Sequence, residues 1–391
     1  MTLIAVHLLQ NHAPSNLNRD DNGDPKDCLF GGYRRARISS QAIKRSIRWS
    51  EIFRTYFAGT PDLLAERTQL LPELVRERIA GLELADEAKA AIIDAAEKFG
   101  KADRGGSGGD EAADDAPTTK RGRAKAEPAE VRAPRQKTKQ LMFLTHAEIA
   151  QLAEDLVTLY RERGGKAFAE IKWDKYREEA GDKYVPHAPD IAMFGRMTTS
   201  SPFKDVDAAV QVAHAISTHA VEQEFDYYTA VDDISGESGA GFIGETAFNS
   251  ATYYKYFSID WDTLVQNVQG ERDIAAATVR ALVHAALFAI PSGKQNSFAA
   301  HNLPDLALVE VRQRKVAVSY ANAFLRPVRA SAQQSLVEAS AAALQRYVPQ
   351  INTMYGLTAE RAFLSTAPFE LDSAHECATL DNLLAWLPLS A

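Results

Sequence analysis

The chain is poor in cysteine. Cys28 and Cys377 are the only two in 391 residues and stand at opposite ends of the sequence. That excludes a disulfide framework and a CxxC metal knuckle and predicts a reducing, cytoplasmic setting. No apolar run approaches the roughly 18 residues that a membrane span needs, and the opening MTLIAVHLLQ lacks the basic start of a signal peptide, so neither anchoring nor export is expected. There is no Walker A loop, no GxSxG elbow, no GxGxxG after a strand, no HExxH and no Cys/His cluster. No cofactor and no metal is therefore expected, and no catalytic residue of a familiar kind. His7, His214, His219, His284 and His301 are scattered and read as core or surface groups, with His214 and His219 on opposite faces of a strand. No repeat with a period of 20–50 residues is present, which argues against a solenoid.

What is present is an ordinary globular composition, with 46% hydrophobic and 25% charged residues, in a chain long enough for two or three packing units. The net charge of −8 argues against a protein that coats nucleic acid indiscriminately. Its distribution is uneven, however. From Lys26 to Arg54 eight bases (Lys26, Arg34, Arg35, Arg37, Lys44, Arg45, Arg48, Arg54) face two acids, Asp27 and Glu51. A local basic surface on an acidic body suits one face that receives a polyanion.

Residues 2–9 read as a buried strand, 10–27 as a polar loop and FGGYRRAR as a segment whose glycines permit φ > 0. Ser39 or Ser40 caps a helix predicted to run to Phe57, with Ile43, Ile47, Phe53 and Phe57 inward. Helices follow at 72–99, 146–160 and 166–179. Between them, residues 101–139 lack aromatics and carry GGSGG and three prolines, which predicts a flexible segment. Strands are expected at 190–197 and 210–221, a protruding hairpin with a glycine-rich tip at 223–249, and an aromatic strand at 250–260. Helices at 261–268 and 273–290 and a last strand at 307–312 complete the order. Strand, helix, strand, strand, helix, strand is the split βαβ pattern of α+β folds of the ferredoxin-like and RNA-recognition-motif kind.

Three segments carry candidate chemistry. In ISSQAIKRSIR, Lys44 and Arg48 share a helix face with Arg45 beside them, near a helix start that disfavours cations. A bound phosphate would relieve both penalties, using the first N–H groups of the helix, Ser39, Gln41 and the preceding arginines. The bland alternative is a solvated basic face. Asp20 and Asp21 in the Asn18-Arg19-Asp20-Asp21 loop are paired carboxylates suited to Mg²⁺ in a metal-dependent ribonuclease, or, more ordinarily, Asx-turn acids. Phe225, Tyr227 and Tyr228, with Thr229 and Val231, are aromatic hairpin residues able to stack on or wedge between bases, or to form a local mini-core.

LNRDD with a downstream lysine, FGGxRRARISSQxxKRxxR, the GRM ending at Met197, HAISTHxVxxxxDYYTAVDD and PSGKQNSFAAHN are long and collinear. Together, from Val6 to about Phe324 and interrupted at 101–139, they resemble the CasC-type backbone subunit of the type I-E CRISPR Cascade complex. The resemblance implies a nonenzymatic antiviral protein whose copies form a helical filament along CRISPR RNA and present the guide for pairing with target DNA. It implies a modified RNA-recognition-motif (ferredoxin-like) palm in pieces at 1–58, 187–222 and 250–391, the last with C-terminal helices. It places a helical finger insertion at 59–186 and a thumb hairpin at 223–249. Further implied partners are the RNA-handle-binding, endonuclease, large and small subunits of the complex. By position, Asn18, Arg19, Lys26, Ser39, Gln41, Lys44, Arg45 and Arg48 resemble the RNA-gripping set and Met197 a palm-side wedge. Tyr228, Thr229 and Val231, flanked by Tyr227, resemble the thumb residues beside one displaced base per subunit. Lys294 lies in a recurrent motif with a weakly implied contact. The 101–139 insertion has no counterpart in the resemblance, and related backbone subunits that cleave through a loop aspartate keep Asp20 and Asp21 in view.

Overall fold

The computed structural model describes residues 2–60, 63–100, 135–180, 182–198, 202–231, 234 and 240–389. Residues 101–134 of the segment read as flexible, and most of the glycine-rich hairpin tip, lie outside the described residues. In chain order the elements are β1 (Leu3–Ser15), β2 (Asp27–Phe30), β3 (Tyr33–Ile38), α1 (Ser40–Trp49), α2 (Glu51–Thr55), β4 (Ala65–Thr68), α3 (Leu71–Ile79), α4 (Asp86–Lys98), β5 (Met142–Thr145), α5 (His146–Ala169), α6 (Trp173–Ala180) and α7 (Pro189–Phe194). They continue with β6 (Val210–Val212), β7 (Ala215–Ser217), β8 (Glu224–Val231), β9 (Ala240–Asp260), α8 (Trp261–Asn267), α9 (Arg272–Phe288), α10 (Gln295–Phe298), β10 (Leu306–Arg312), α11 (Leu336–Tyr355), β11 (Glu360–Ser365), β12 (Ala374–Glu376) and α12 (Leu380–Trp386). This is a mixed α/β protein, and among the described residues no helix is long and apolar enough to cross a membrane.

The chain divides into two compact units, one made of Met1–Tyr56, Val210–Asp262 and Ala275–Ala391, the other of Phe57–Ala209 and Thr263–Ile274. The first holds a ten-stranded sheet in the order β12-β11-β10-β1-β9-β7-β3-β2, with β6 and β8 also paired to β9. β1 lies at its centre, antiparallel to β10 and to β9, with Leu3 opposite Arg312 on one side and Asp260 on the other. Ala5 and Leu9 join a core with Leu306, Leu308, Phe363 and, from α11, Leu344 and Val348. Ile4, Val6 and Leu8 on the opposite face are equally buried, so β1 is covered on both sides and reads as a continuous apolar run.

An ionic cluster lies inside this apolar sheet. Glu310 on β10 accepts from Arg312 (2.8 Å), Arg361 of β11 (2.6 Å) and the Tyr320 hydroxyl (2.9 Å), and His7 Nε2 stands 3.5 Å away. His7 Nδ1 meets Tyr254 Oη at 2.8 Å, and Arg312 also donates to Asn352 Oδ1 of α11. Burial alone would raise the Glu310 pKa, but neighbouring His7 and the charges of Arg312 and Arg361 hold it well below the usual carboxylate range. The cluster pins the C-terminal β11 and α11 to the strand pair β1/β10.

The second unit packs α3, α4 and α5 around Val75, Ile79, Ile92, Leu152 and Leu156, with Phe99, Phe168 and Trp173 filling one end. Thr145 caps α5 in a reciprocal box with Glu148, and Gly164 (φ 74°) interrupts the helix. The short pair β4/β5, unread in the sequence, ties Ala65 to Thr145.

Four sequence expectations are corrected. Residues 190–197 form no strand: Pro189 opens and Gly195 (φ 79°) closes helix α7, a Pro-start and Gly-stop signature that the short apolar run IAMF masks. The single strand expected at 210–221 is two, β6 and β7, with His214 between them rather than on a strand face. The helix expected to reach Phe57 breaks at Ser50, which is extended (φ −67°, ψ 141°) and whose hydroxyl caps Phe53 N–H to start α2. β10 is not the last strand, because β11 pairs along it with Phe363 opposite Leu308 and β12 follows.

Candidate nucleic-acid interface

The loop after β1 is built by its own polar side chains. Asn16 Nδ2 donates to Gly23 O (2.9 Å) and to Ala247 O on β9 (3.0 Å), fixing the loop to the foot of the β8/β9 hairpin. Asn18 is buried, and its Oδ1 accepts from Ser39 N–H at 2.7 Å. Its carbonyl accepts from Lys26 N–H (2.8 Å), and the Lys26 carbonyl accepts from Arg37 N–H (2.9 Å). The Ser39 hydroxyl in turn caps Ala42 N–H. Asn18 and Ser39, grouped in the sequence with RNA-gripping residues, thus act first as the joint that positions the start of α1.

α1 buries Ala42, Ile43 and Ile47. The opposite side carries two stripes at helical spacing: Lys44 and Arg48, half-buried, and Gln41, Arg45 and Trp49, exposed. The first turn contains no acid, so no carboxylate in it offsets the positive end of the helix. Of the preceding arginines, Arg34 pairs with Asp27, and Arg37 binds Asp27 O and meets His214 Nδ1 at 3.1 Å. Arg35 belongs to a different chemistry. It is fully buried, and its guanidinium donates to the carbonyls of Ser217 (3.1 Å) and Phe324 (2.6 Å), which removes it from any phosphate grip and makes it a clamp between β3, β7 and the 321–325 turn. His214 has its pKa lowered by burial and by Arg37 and Lys26, so it sits within the same positive field.

A third segment reaches this face. Gly293 lies against the backbone of the Asn16–Leu17 stretch so closely that a Cβ would stand 2.3 Å from Leu17 O. The next residue, Lys294, adopts φ 44°, and its Nζ donates to Thr246 Oγ1 of β9 at 3.1 Å. Its pKa is lowered by burial and then by Arg19, with Asp24 opposing, which places Lys294 beside the loop that carries Arg19. Sequence reading gave Lys294 little weight, although the glycine that lets its loop reach Leu17 was a visible signal. Below the same loop, Gln10 Nε2 donates to Asn302 O and the Ala13 N–H to Asn302 Oδ1 (3.1 Å). Lys255 is buried, donates to Gln10 Oε1, and has its pKa pushed by burial to about 8. His12 is buried edge-on to Tyr253 with neither ring nitrogen hydrogen-bonded, and burial together with Lys255 drives its pKa down to about 3.

The hairpin β8/β9 rises from this base. Along β8, Phe225, Tyr227 and Thr229 share one face by strand alternation and Tyr228 takes the other, opposite Gly244. Tyr228 lies so close over Gly244 that a Cβ there would meet its ring at 2.5 Å. Phe225, Tyr227 and Tyr228 are exposed, at 58%, 64% and 44%. That is too open for a mini-core. Val231 pairs with Ala240 after an irregularity in register. Met197 belongs to the second unit, where Arg196 is buried and gives Nη1 to Glu148 (2.8 Å) and Nε and Nη2 to Lys204 O (3.0 and 2.7 Å). That anchor leaves Met197 displayed at 75% exposure.

Asp20 closes its own turn: Oδ1 accepts from the N–H groups of Asn22 and Asp24, both at 2.9 Å. Asp21 is exposed beside it, and among the described residues no three His, Cys, Asp or Glu side chains gather as a metal site would require. The face as a whole offers cations, N–H groups and open aromatic rings, which suits an extended polyanion that carries rings of its own.

Among solved structures, the chain is similar to one described as a CRISPR RNA-guided surveillance complex, pre-nicking, at 26% identity and a TM-score of 0.76 over 98% of each chain. A second, described as a CRISPR RNA-guided surveillance complex, shares its fold at 22% identity and a TM-score of 0.67, over 98% of this chain and 99% of that one. No curated protein matches it. The model of the CT1975-like proteins spans residues 4–386, so the resemblance of the motifs to CRISPR-associated backbone subunits holds, and the chain belongs to the CRISPR-associated CT1975-like family.

Proposed function

We propose that the chain is a CRISPR RNA-binding backbone subunit of a type I-E Cascade surveillance complex, acting in the cytoplasm as several copies in a helical filament along the guide. The observation that carries this reading is the convergence, within one compact unit, of Arg19, Lys26, the α1 bases and Lys294 around the foot of an aromatic hairpin. Phosphate contacts of this kind hold a strand irrespective of its sequence and leave base edges free for pairing with target DNA. The inner strand order β10-β1-β9-β7 is the fourth, first, third, second arrangement of a split βαβ unit and supports an RNA-recognition-motif-like palm. In this reading the second unit is the finger, with Met197 as a wedge, and the hairpin is the thumb. Its Tyr227, Tyr228, Thr229 and Val231 displace one base per subunit. The RNA-handle-binding, endonuclease, large and small subunits are its other partners. In this reading Asp20 and Asp21 cut nothing, and Asp20 Oδ1 serves its own turn.

The test follows binding of the full chain to CRISPR RNA in Mg²⁺ as salt is varied. Wild type should bind intact RNA with log K falling linearly in log salt. Lys44→Ala with Arg45→Ala should abolish assembly or flatten that line by about 0.7 per lost phosphate contact. An unchanged line would sink the assignment of α1, and RNA cut by wild type but not by Asp20→Asn would replace the reading with a ribonuclease.

A further inference from the structure

Trp49 is absent from every assignment above, yet it is the most conspicuous group on α1. It is 51% exposed, and three guanidinium groups lie over its ring: Arg45 and Arg48 at 5.8 Å from the centroid and Arg54 at 5.1 Å. It continues the exposed stripe of Gln41 and Arg45, one turn beyond Arg45. Arg54 reaches the same ring because the chain turns at Ser50 and restarts as α2. Neither Arg45 nor Arg54 is held by a carboxylate among the described residues. Half of the indole surface stays open, and beside it Arg45 and Arg54 lack an anion.

We infer that Trp49, rimmed by Arg45, Arg48 and Arg54, is a stacking platform for an unpaired nucleobase of a single strand held along α1. The inference rests on the proposed role of α1 in gripping nucleic acid and adds to it a base contact outside the hairpin. A nucleotide supplies both missing parts in one ligand: the base lies on the indole, and its phosphate meets the guanidinium groups. An acidic peptide would satisfy the arginines and leave the ring in water. An apolar peptide would cover the ring and strand the charges. Because any base presents a π face, the platform tolerates sequence, as a site on a guide-holding surface must.

The experiment uses the full chain and three ligands of equal length and charge: a single-stranded RNA, the same sequence as DNA, and a strand of abasic sites. Wild type should prefer base-bearing strands over the abasic strand by at least the roughly 5- to 150-fold that one stacked base supplies. Trp49→Leu should lower that preference by about this factor and keep the salt dependence, while Trp49→Phe should keep both. Preference confined to RNA identifies the guide as the ligand, and equal preference for DNA identifies either strand. If Trp49→Leu retains the preference, the platform is wrong, also when that variant instead weakens self-association, which would make Trp49 a contact between copies. Salt-steep binding by wild type without any base preference removes the platform and leaves the grip of α1 standing. No salt-sensitive binding by wild type removes both.

Discussion

Lowering the pH should destabilise this protein through His12. In the folded chain the imidazole is buried beside Lys255 and stays neutral down to about pH 3, whereas in the unfolded chain it protonates near 6.5. Between pH 7 and pH 5 the unfolded state therefore binds more protons, and stability falls as pH falls. For the pKa pair 6.5 and about 3, the loss over that interval is about 2 kcal/mol from this residue. His7, whose pKa burial also lowers, acts in the same direction. Glu310 contributes nothing over this range, because its folded pKa is depressed and its stabilisation is lost only below the ordinary carboxylate range. The informative variant is His12→Phe, which keeps an edge-on ring against Tyr253 and removes the two nitrogens that lack partners. Urea unfolding of wild type and variant at pH 7 and pH 5 isolates the effect: the variant should lose about 2 kcal/mol less than wild type between the two pH values. An equal loss in both proteins would show that His12 protonates freely in the fold, and would undo the argument that burial beside Lys255 keeps it neutral.

Two further predictions concern the joints of the fold. Glu310→Gln leaves Arg312 and Arg361 buried without their carboxylate and should cost about 3–5 kcal/mol, a fall in Tm on the order of 10 °C for a unit of this size; an unchanged melting curve would mean that the cluster does not hold β11 and α11 in place. Asn18→Ala orphans the Ser39 N–H and should cost about 1–3 kcal/mol in urea unfolding, while Asn18→Asp, which keeps an acceptor there, should cost less; equal losses would refute a positioning role for the Asn18 side chain.

The elements with strong periodicity were legible in the sequence. Ile43 and Ile47 mark α1, ELVRERI and the alanine-rich 86–98 segment mark α3 and α4, and the aromatic run at 250–260 marks the inner half of β9. Short apolar runs were not, because IAMF in α7 fits a strand as well as a helix and only its flanking Pro189 and Gly195 argue otherwise. Charge counting treated Arg35 as one more surface cation. Its burial depends on carbonyls of Ser217 and Phe324, more than 180 positions away, which no local pattern discloses. The approach of Lys294 to Arg19 and the field around His214 are of the same kind, since both arise where strands remote in sequence lie side by side. Trp49 was visible as a letter but not as a site, because it takes the break at Ser50 to bring Arg54 back to its ring.

β9 has a mechanical consequence of its own. Its 21 residues run without interruption from the outer end of the hairpin to the middle of the ten-stranded sheet. The inner half is registered against β1, Tyr253 opposite Gln10 and Ile259 opposite Ile4, and the outer half against β8. A one-residue slip of β9 along β8 would have to drag β9 past β1 or buckle the strand between them. The hairpin is thus a cantilever clamped in the core. Its aromatic rings ride on the span beyond the clamp, and a load applied there bends a beam whose fixed end is the buried strand pair β1/β9.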